Sequence, residues 1–363
     1  MLATLTPRRF LRSNFVDLLV GPHGIDRYLE LIRPELTIHD ARAEVVSVRR
    51  QTARSVTLTL RPNAAWRGFR AGQFVRVGVE IDGVRRTRTY SPASVEGAAR
   101  ELELTVTEHP EGLVSRHLLA HARPGAVLHL GDAQGDFVLP ERRPSRLALI
   151  SGGSGITPVL SMLRTLCAEG HADPVAFIHY ARTAADWLYA PEVRALAARH
   201  PNVRVAFVAT RGEDRGAGVH VSGEAIAAAF ADGAGLHDAH AAVCGPPALL
   251  EAVQSIFEPE RVFAETFTPP SIVLAAGATA EGTLHFTRSG ASAPIGAGSL
   301  LEQAEGAGLT PAFGCRMGIC HTCTCRKTAG PVRNVLTGEI SDEEDEDIQL
   351  CVSVPAGDVA LEI

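Results

Sequence analysis

Between residues 44 and 130, apolar and polar positions alternate in short runs: Ser55-Val56-Thr57-Leu58-Thr59-Leu60, Phe74-Val75-Arg76-Val77-Gly78-Val79 and Glu101-Leu102-Glu103-Leu104-Thr105-Val106. A period of two sends successive side chains to opposite faces of a strand. Such runs, separated by turn residues, predict antiparallel strands that close into a small barrel across residues 39–141. Beyond it the pattern changes. Arg146-Leu147-Ala148-Leu149-Ile150, Val175-Ala176-Phe177-Ile178-His179-Tyr180 and Val203-Arg204-Val205-Ala206-Phe207-Val208 are nearly continuous apolar runs with helical segments between them. That order predicts a doubly wound, parallel α/β domain over residues 142–272. Upstream, Ile25, Leu29 and Ile32 share one helical face and Pro34 ends the segment, so residues 1–38 are expected to hold a short helical extension packed on the body.

The last segment, 273–363, carries Gly314-Cys315-Arg316-Met317-Gly318-Ile319-Cys320-His321-Thr322-Cys323, with Cys351 following 28 positions later. Cys-x4-Cys-x2-Cys with a distant fourth cysteine is the ligand spacing of a plant-type [2Fe-2S] cluster. Four thiolates must converge on two irons, so one tight loop supplies Cys315, Cys320 and Cys323, and Cys351 arrives from elsewhere. A structural zinc site normally uses two Cys-x2-Cys pairs, which this spacing lacks. Cys167 and Cys325 have no partner in this scheme and read as structural thiols.

With 363 residues the chain exceeds what one hydrophobic core usually organises. Its hydrophobic content of 45% and charged content of 21% are ordinary for a globular protein. No apolar run approaches the length of a membrane span. Arg8, Arg9 and Arg12 precede only a short apolar run interrupted by Asp17, a poor signal peptide. Seven cysteines, four assigned to iron, suit a reducing cytoplasm. Residues 273–363 contain five Lys/Arg and twelve Asp/Glu, a net −7 against −6 for the whole chain. The run Asp342-Glu343-Glu344-Asp345-Glu346-Asp347 reads either as a solvated acidic loop or as a surface that steers a basic redox partner. Nucleic acid is disfavoured, because a basic footprint for phosphate is missing.

After the apolar run ending at Ile150 comes Ser151-Gly152-Gly153-Ser154-Gly155-Ile156-Thr157-Pro158, which opens into a helical pattern. Glycines let the backbone approach a pyrophosphate, and a helix N-terminus offers unpaired N–H groups. The spacing departs from Gly-x-Gly-x-x-Gly, and no acid closes the second strand to take a ribose diol. Arg182 and Arg211 follow the second and third strands instead; an Arg there suits a 2′-phosphate, so NADPH is favoured over NADH, while either residue also reads as an ordinary exposed charge. Ala241-Ala242-Val243-Cys244-Gly245-Pro246-Pro247 reads as a further strand ending at the carboxyl edge, with Cys244 placed for a nicotinamide contact. Within the barrel, Arg88-Thr89-Tyr90-Ser91 and Gly112-Leu113-Val114-Ser115 add a phosphate-neutralising Arg, a stacking Tyr and a helix opening at Ser115.

Taken in order, these motifs resemble the ferredoxin–NADP reductase superfamily in its variant with a fused plant-type ferredoxin domain, over roughly residues 40 to 363. The resemblance implies a β-grasp-like α+β fold for 273–363. It also implies flavin binding by Arg88, Tyr90, Ser91, Gly112, Val114 and Ser115; pyrophosphate binding by Gly152, Gly153, Gly155 and Thr157; and nicotinamide contact by Cys244, Gly245 and Pro246. Glu265 looks like the family's acid near the flavin and joins Ser91 and Cys244 as a catalytic candidate. The helix after Gly112 is similar to that of FAD-type rather than FMN-type members. His321 departs from many plant-type ferredoxins, which place Gly after the second cluster cysteine.

The implied chemistry is hydride transfer from NADPH to FAD, then single electrons to the cluster. The N-terminal extension together with the cluster motif is similar to bacterial reductases that serve membrane fatty-acyl desaturases, which suggests peripheral contact with the inner face of the membrane. A reductase component of a ring-hydroxylating dioxygenase or haem monooxygenase would share every cofactor residue. A non-catalytic redox sensor would share them without steady-state turnover.

Overall fold

The structure is a computed structural model that describes residues 24–33, 35–98, 100–212, 221–230, 235–269 and 282–363. Arg8, Arg9, Arg12, the apolar run near Phe15 and Pro34 lie outside the described residues. The chain divides into two compact units, Met1–Thr266 and Phe267–Ile363.

In the first unit, helix α1 (Gly24–Ile32) precedes the barrel. Asp26 Oδ1 accepts a hydrogen bond from the Ile38 N–H at 2.6 Å, and Glu30 pairs with Arg42 at the start of the first strand, so the helix is tied to the body. The expected apolar face is incomplete, because Ile32 stays 73% exposed. Strands β1 (Arg42–Thr52), β2 (Ser55–Pro62), β3 (Val75–Ile81), β4 (Val84–Tyr90), β5 (Leu102–Thr107) and β6 (Val127–Leu130) form one antiparallel sheet in the order β4-β3-β6-β1-β2-β5. A bridge between Pro92 and Leu104 brings the chain after β4 onto β5, joining the two edges. The alternation explains the closure: Val45, Leu58, Leu60, Val75, Leu102 and Leu104 all point into one core, and a closed sheet leaves no edge to protect. Helix α2 (Leu113–His121) buries Val114, Ser115 and Leu118 against it.

The nucleotide domain has five parallel strands in the order β11-β10-β7-β8-β9: β7 (Leu147–Gly152), β8 (Val175–Ala181), β9 (Val203–Ala209), β10 (His240–Cys244) and β11 (Val262–Glu265). Helices α3 (Ile156–Glu169), α4 (Ala190–Arg199), α5 (Gly223–Ala228) and α6 (Pro247–Gln254) make the crossovers. Every residue of β7 and β8 is buried, as expected when helices cover both faces of a parallel sheet. The chain winds outward from β7 to β9 and then returns to β10 on the other side of β7. The switch point therefore opens between β7 and β10, where open α/β sheets collect ligands.

The second unit is α+β. Strands β12 (Thr283–Phe286), β13 (Ala291–Pro294), β14 (Thr324–Ala329), β17 (Glu346–Gln349) and β19 (Val359–Leu361) form a mixed sheet ordered β13-β12-β19-β14-β17. A smaller sheet joins β15 (Val332–Asn334) to β16 (Ile340–Ser341) and β18 (Ser353–Pro355). Helix α7 (Leu300–Gly306) opens with a capping box in which Ser299 and Glu302 satisfy each other's backbone N–H. Lys327 is fully buried, with its Nζ 2.7 Å from Glu346 and 2.9 Å from the Gly330 carbonyl. Part of the acidic run is thus committed to the fold, while Asp342, Glu343 and Glu344 remain exposed.

Candidate functional site

The flavin motif lies where β4 ends. Arg88 and Tyr90 stand opposite Val77 and Val75 of β3, and their two-residue spacing puts both on one face. The Arg88 guanidinium donates to the Thr87 carbonyl at 2.8 Å. Burial pushes the Tyr90 hydroxyl above its ordinary pKa, with the Arg88 charge opposing the shift. Ser91 is 3% exposed, and its Oγ has no hydrogen-bond partner among the described residues. Such an orphan costs about 1–3 kcal/mol and calls for a bound polar group, so the site fits a flavin.

Helix α2 opens at Leu113, two residues ahead of the expected start at Ser115. The reason is local. Ser115 Oγ accepts from the His109 N–H at 3.1 Å and donates to the Gly112 carbonyl at 3.3 Å, stitching the turn that precedes the helix. A Cβ at Gly112 would stand 2.4 Å from that Oγ. The first-turn N–H groups lack intrahelical partners and suit a phosphate. Val114 is 1% exposed in the barrel core, so its backbone N–H is what it has to offer.

The glycine turn sits at the switch point. Gly153 takes φ +56°, and a Cβ at Gly155 would come within 2.2 Å of the Cys244 carbonyl oxygen. These contacts pack the ends of β7 and β10 together and leave the N-terminus of α3 open to a pyrophosphate. Thr157 Oγ1 donates to the Ser154 carbonyl at 3.3 Å, and Pro246 caps α6. Arg182 and Arg211, both exposed, follow the adjoining strands β8 and β9, where the Arg211 N–H donates to the Arg182 carbonyl at 2.8 Å.

Register aligns Glu265, Cys244, Ser151, His179 and Phe207 in one row across the five strands. Ser151 Oγ lies 2.9 Å from His179 Nδ1, and burial pushes His179 down to about 3. Burial, then the Glu265 charge, pushes the Cys244 thiol up. Glu265 itself is pushed up to about 8 by burial, and its Oε2 has no hydrogen-bond partner among the described residues. Cys244 and Glu265 are therefore strand neighbours, while Ser91 belongs to the barrel.

The cysteines of the second unit form two couples. Cys315 stands with Cys320 and Cys323 with Cys351, and the couples adjoin: the Cys320 charge acts on Cys323, and the Cys315 charge on Cys351. Within the first couple the shared hydrogen bond holds Cys315 up and Cys320 down. The Cys315 N–H points at Cys320 Sγ at 3.2 Å, and the Met317 N–H at Cys315 Sγ at 3.3 Å. Among the described residues no group of three or more His, Cys, Asp or Glu is arranged for a single metal ion. A two-iron cluster would need two thiolate pairs, and the loop together with Cys351 presents two, so the donor set fits such a cluster. A Cβ at Gly314 would lie 2.7 Å from Cys320 Sγ. His321 takes φ +53°, a conformation Gly adopts freely, and its Nδ1 meets Gln349 Nε2 at 2.8 Å. Burial pushes Cys167 and Cys325 up to about 11, the behaviour of inert thiols.

Sequence reasoning missed a polar seam that joins the barrel to the nucleotide domain. From α3, Ser161 Oγ donates to the Ser94 carbonyl at 2.6 Å, Thr165 Oγ1 accepts from the Glu96 N–H at 2.9 Å, and Arg164 donates to Ala93 O and Glu103, both at 2.7 Å. Tyr189 reaches the barrel at Thr57 and Thr105. The available signal was slight: threonines at the positions of β2 and β5 that alternate with the barrel core, and Pro191 marking a helix start after Tyr189.

The oxidoreductase FAD-binding domain family matches residues 43–138, the oxidoreductase NAD-binding domain family 149–255, and the 2Fe-2S iron-sulfur cluster binding domain family 286–356. An NADPH oxidoreductase of Mycobacterium tuberculosis is 37% identical over 93% of this chain and 88% of its own length. A glycine betaine monooxygenase reductase subunit of Pseudomonas aeruginosa is 30% identical over 81% of this chain and 87% of its own. The solved structure of phthalate dioxygenase reductase superposes with a TM-score of 0.60 at 22% identity, covering 89% of this chain and 97% of that one, which shows the shared fold.

Proposed function

The chain belongs to the FAD- and NAD-binding oxidoreductases that carry a fused 2Fe-2S domain, and from that premise we propose that it draws on NADPH and delivers electrons singly to an oxygenase-type acceptor, first among them a membrane fatty-acyl desaturase. Bound FAD supplies the exchange between a hydride's two electrons and single ones, and the cluster a one-electron carrier.

The chain's residues do the positioning. Gly152, Gly153, Gly155 and Thr157 bind the nucleotide's pyrophosphate at α3; Cys244, Gly245 and Pro246 line the nicotinamide. Arg88 and the N–H groups of Val114 and Ser115, with the turn at Gly112, take the flavin's phosphates, while Tyr90 and Ser91 hold its ring system. Burial holds the Glu265 carboxyl well above its ordinary range, which favours its protonated form as a donor beside Cys244. Cys315, Cys320, Cys323 and Cys351 hold the irons.

One observation carries the NADPH reading: Arg182 and Arg211, both exposed, are joined through their main chains at adjoining strand ends, which puts two cations where a dianionic 2′-phosphate could be met. Steady-state KM values for NADPH and NADH test it, and a lower KM for NADH sinks it. The exposed acids Asp342, Glu343 and Glu344 favour docking of a basic acceptor surface, at the inner face of the membrane for a desaturase. Membranes containing a desaturase, given this protein and NADPH, should desaturate acyl chains. A second reading, the reductase component of a soluble monooxygenase or dioxygenase, draws support from the relative named as a glycine betaine monooxygenase reductase subunit. Turnover with such an oxygenase and none with the membranes would select it.

A further inference from the structure

We propose that Tyr189, with its partners Thr57 and Thr105, is a positioning group that sets the nucleotide domain at the distance from the flavin barrel that hydride transfer needs. Tyr189 is the N-cap of α4 and takes a left-handed backbone, φ +56° and ψ 14°. A bulky aromatic residue adopts that conformation only where its surroundings over-determine it. Here they do so from both domains. Its side chain is 1% exposed. Its hydroxyl lies 3.1 Å from Thr57 Oγ1 on β2 and 2.5 Å from Thr105 Oγ1 on β5, and those two hydroxyls are 2.7 Å from each other. The three oxygens form a closed, buried ring of donors and acceptors, one contributed by the nucleotide domain and two by the barrel.

The ring of Tyr189 is flanked by cations that reinforce the same junction. Arg49 of β1 and Arg164 of α3 stand 5.6 Å and 5.3 Å from its centroid. Arg164 also binds Glu192 of α4 at 2.9 Å, besides Ala93 O and Glu103 of the barrel. This junction lies one to two helix turns from the groups it would position. Ser161 and Arg164 follow Thr157 along α3, and Ala93 and Ser94, which they grip, follow Ser91. A rotation of the nucleotide sheet about this seam would carry the pyrophosphate turn away from the flavin strand, and a misplacement of about 1 Å costs roughly a hundredfold in rate.

The inference rests on the hydride route proposed above, so its test has two arms. In the first, holoenzyme is mixed anaerobically with NADPH, and flavin bleaching is timed for the native chain, Tyr189→Phe, Thr105→Val and the double variant. Each single variant should transfer about ten- to a hundredfold more slowly, with NADP+ affinity within about twofold, and the double variant should be no slower than the worse single one. Full-rate transfer, additive losses, or affinity falling in step with rate overturns the proposal. The second arm needs no hydride transfer: amide hydrogen exchange at Val193, whose N–H donates to the Tyr189 carbonyl at 2.9 Å, should rise at least about tenfold in Thr105→Val, a substitution on the other domain. Unchanged exchange there overturns the latch. A native protein that fails to bleach at all would instead refute the proposed function and leave the second arm standing.

Discussion

The cysteine loop and the glycine turn after β7 are both tight and glycine-bearing, yet what they offer a ligand is opposite. The loop from Cys315 to Cys323 presents side chains: three thiols, completed to two couples by Cys351 from outside the loop, with the backbone bent through Arg316, Gly318 and His321 at positive φ to aim them. The turn from Gly152 to Gly155 presents the absence of side chains, since a Cβ at Gly155 would collide with the Cys244 carbonyl. A cofactor held by thiolates tolerates almost no change of residue type at its ligands. One held by backbone N–H groups depends on local packing and tolerates change wherever the backbone path survives.

That contrast can be broken most severely at the ligands. Cys323→Ala should abolish the visible absorbance of the cluster and cut reduction of a protein acceptor at least about a hundredfold, while nucleotide-dependent reduction of a small artificial oxidant persists; retained iron and full acceptor turnover would refute the ligand assignment. On the turn, Gly155→Ala should cost about 1–3 kcal/mol of stability through overpacking and weaken nucleotide binding at least tenfold; an unchanged melting temperature and affinity would mean the close approach is irrelevant. Arg182→Ala and Arg211→Ala should each raise KM for NADPH roughly tenfold and leave NADH unaffected, since a charged hydrogen bond contributes about 1.5–3 kcal/mol. Equal loss with both nucleotides would make them ordinary surface charges.

The last effect is one of pH and concerns Glu265. Its folded pKa of about 8 lies above the ordinary 4.5, so between those values the folded chain holds a proton that the unfolded chain has released. Stability should therefore fall as pH rises from about 4.5 to about 8. Thermal melts of Glu265→Gln across that window should be flatter than those of the native chain; identical slopes would show that the carboxyl is ionised in the fold.

The same contrast explains what the sequence disclosed. The 2Fe-2S domain was legible because cluster chemistry fixes both the residue type and the spacing of its cysteines. The barrel and the parallel sheet were legible because burial imposes a period of two on Val56, Leu58 and Leu60 and continuous apolar runs on Leu147–Ile150 and Val175–Tyr180. Strands β1, β4 and β6 were harder: β4 reads Val84-Arg85-Arg86-Thr87-Arg88-Thr89-Tyr90 with none of its residues fully buried, so the apolar signal is weak. The Tyr189 junction was invisible, because Thr57, Thr105 and Tyr189 are far apart in the chain and their meeting depends on how two domains pack. The helix face at Ile25, Leu29 and Ile32 was read too far, since Ile32 remains exposed.

The proposed coupling of a nicotinamide nucleotide to a one-electron carrier within one chain, with NADPH preferred, is read out by anaerobic stopped-flow absorbance of the reconstituted protein mixed in turn with NADPH and NADH. Flavin bleaching should be followed by loss of the iron–sulfur bands, faster with NADPH at limiting nucleotide. Flavin bleaching with the cluster left oxidised, or a faster reaction with NADH, would contradict it.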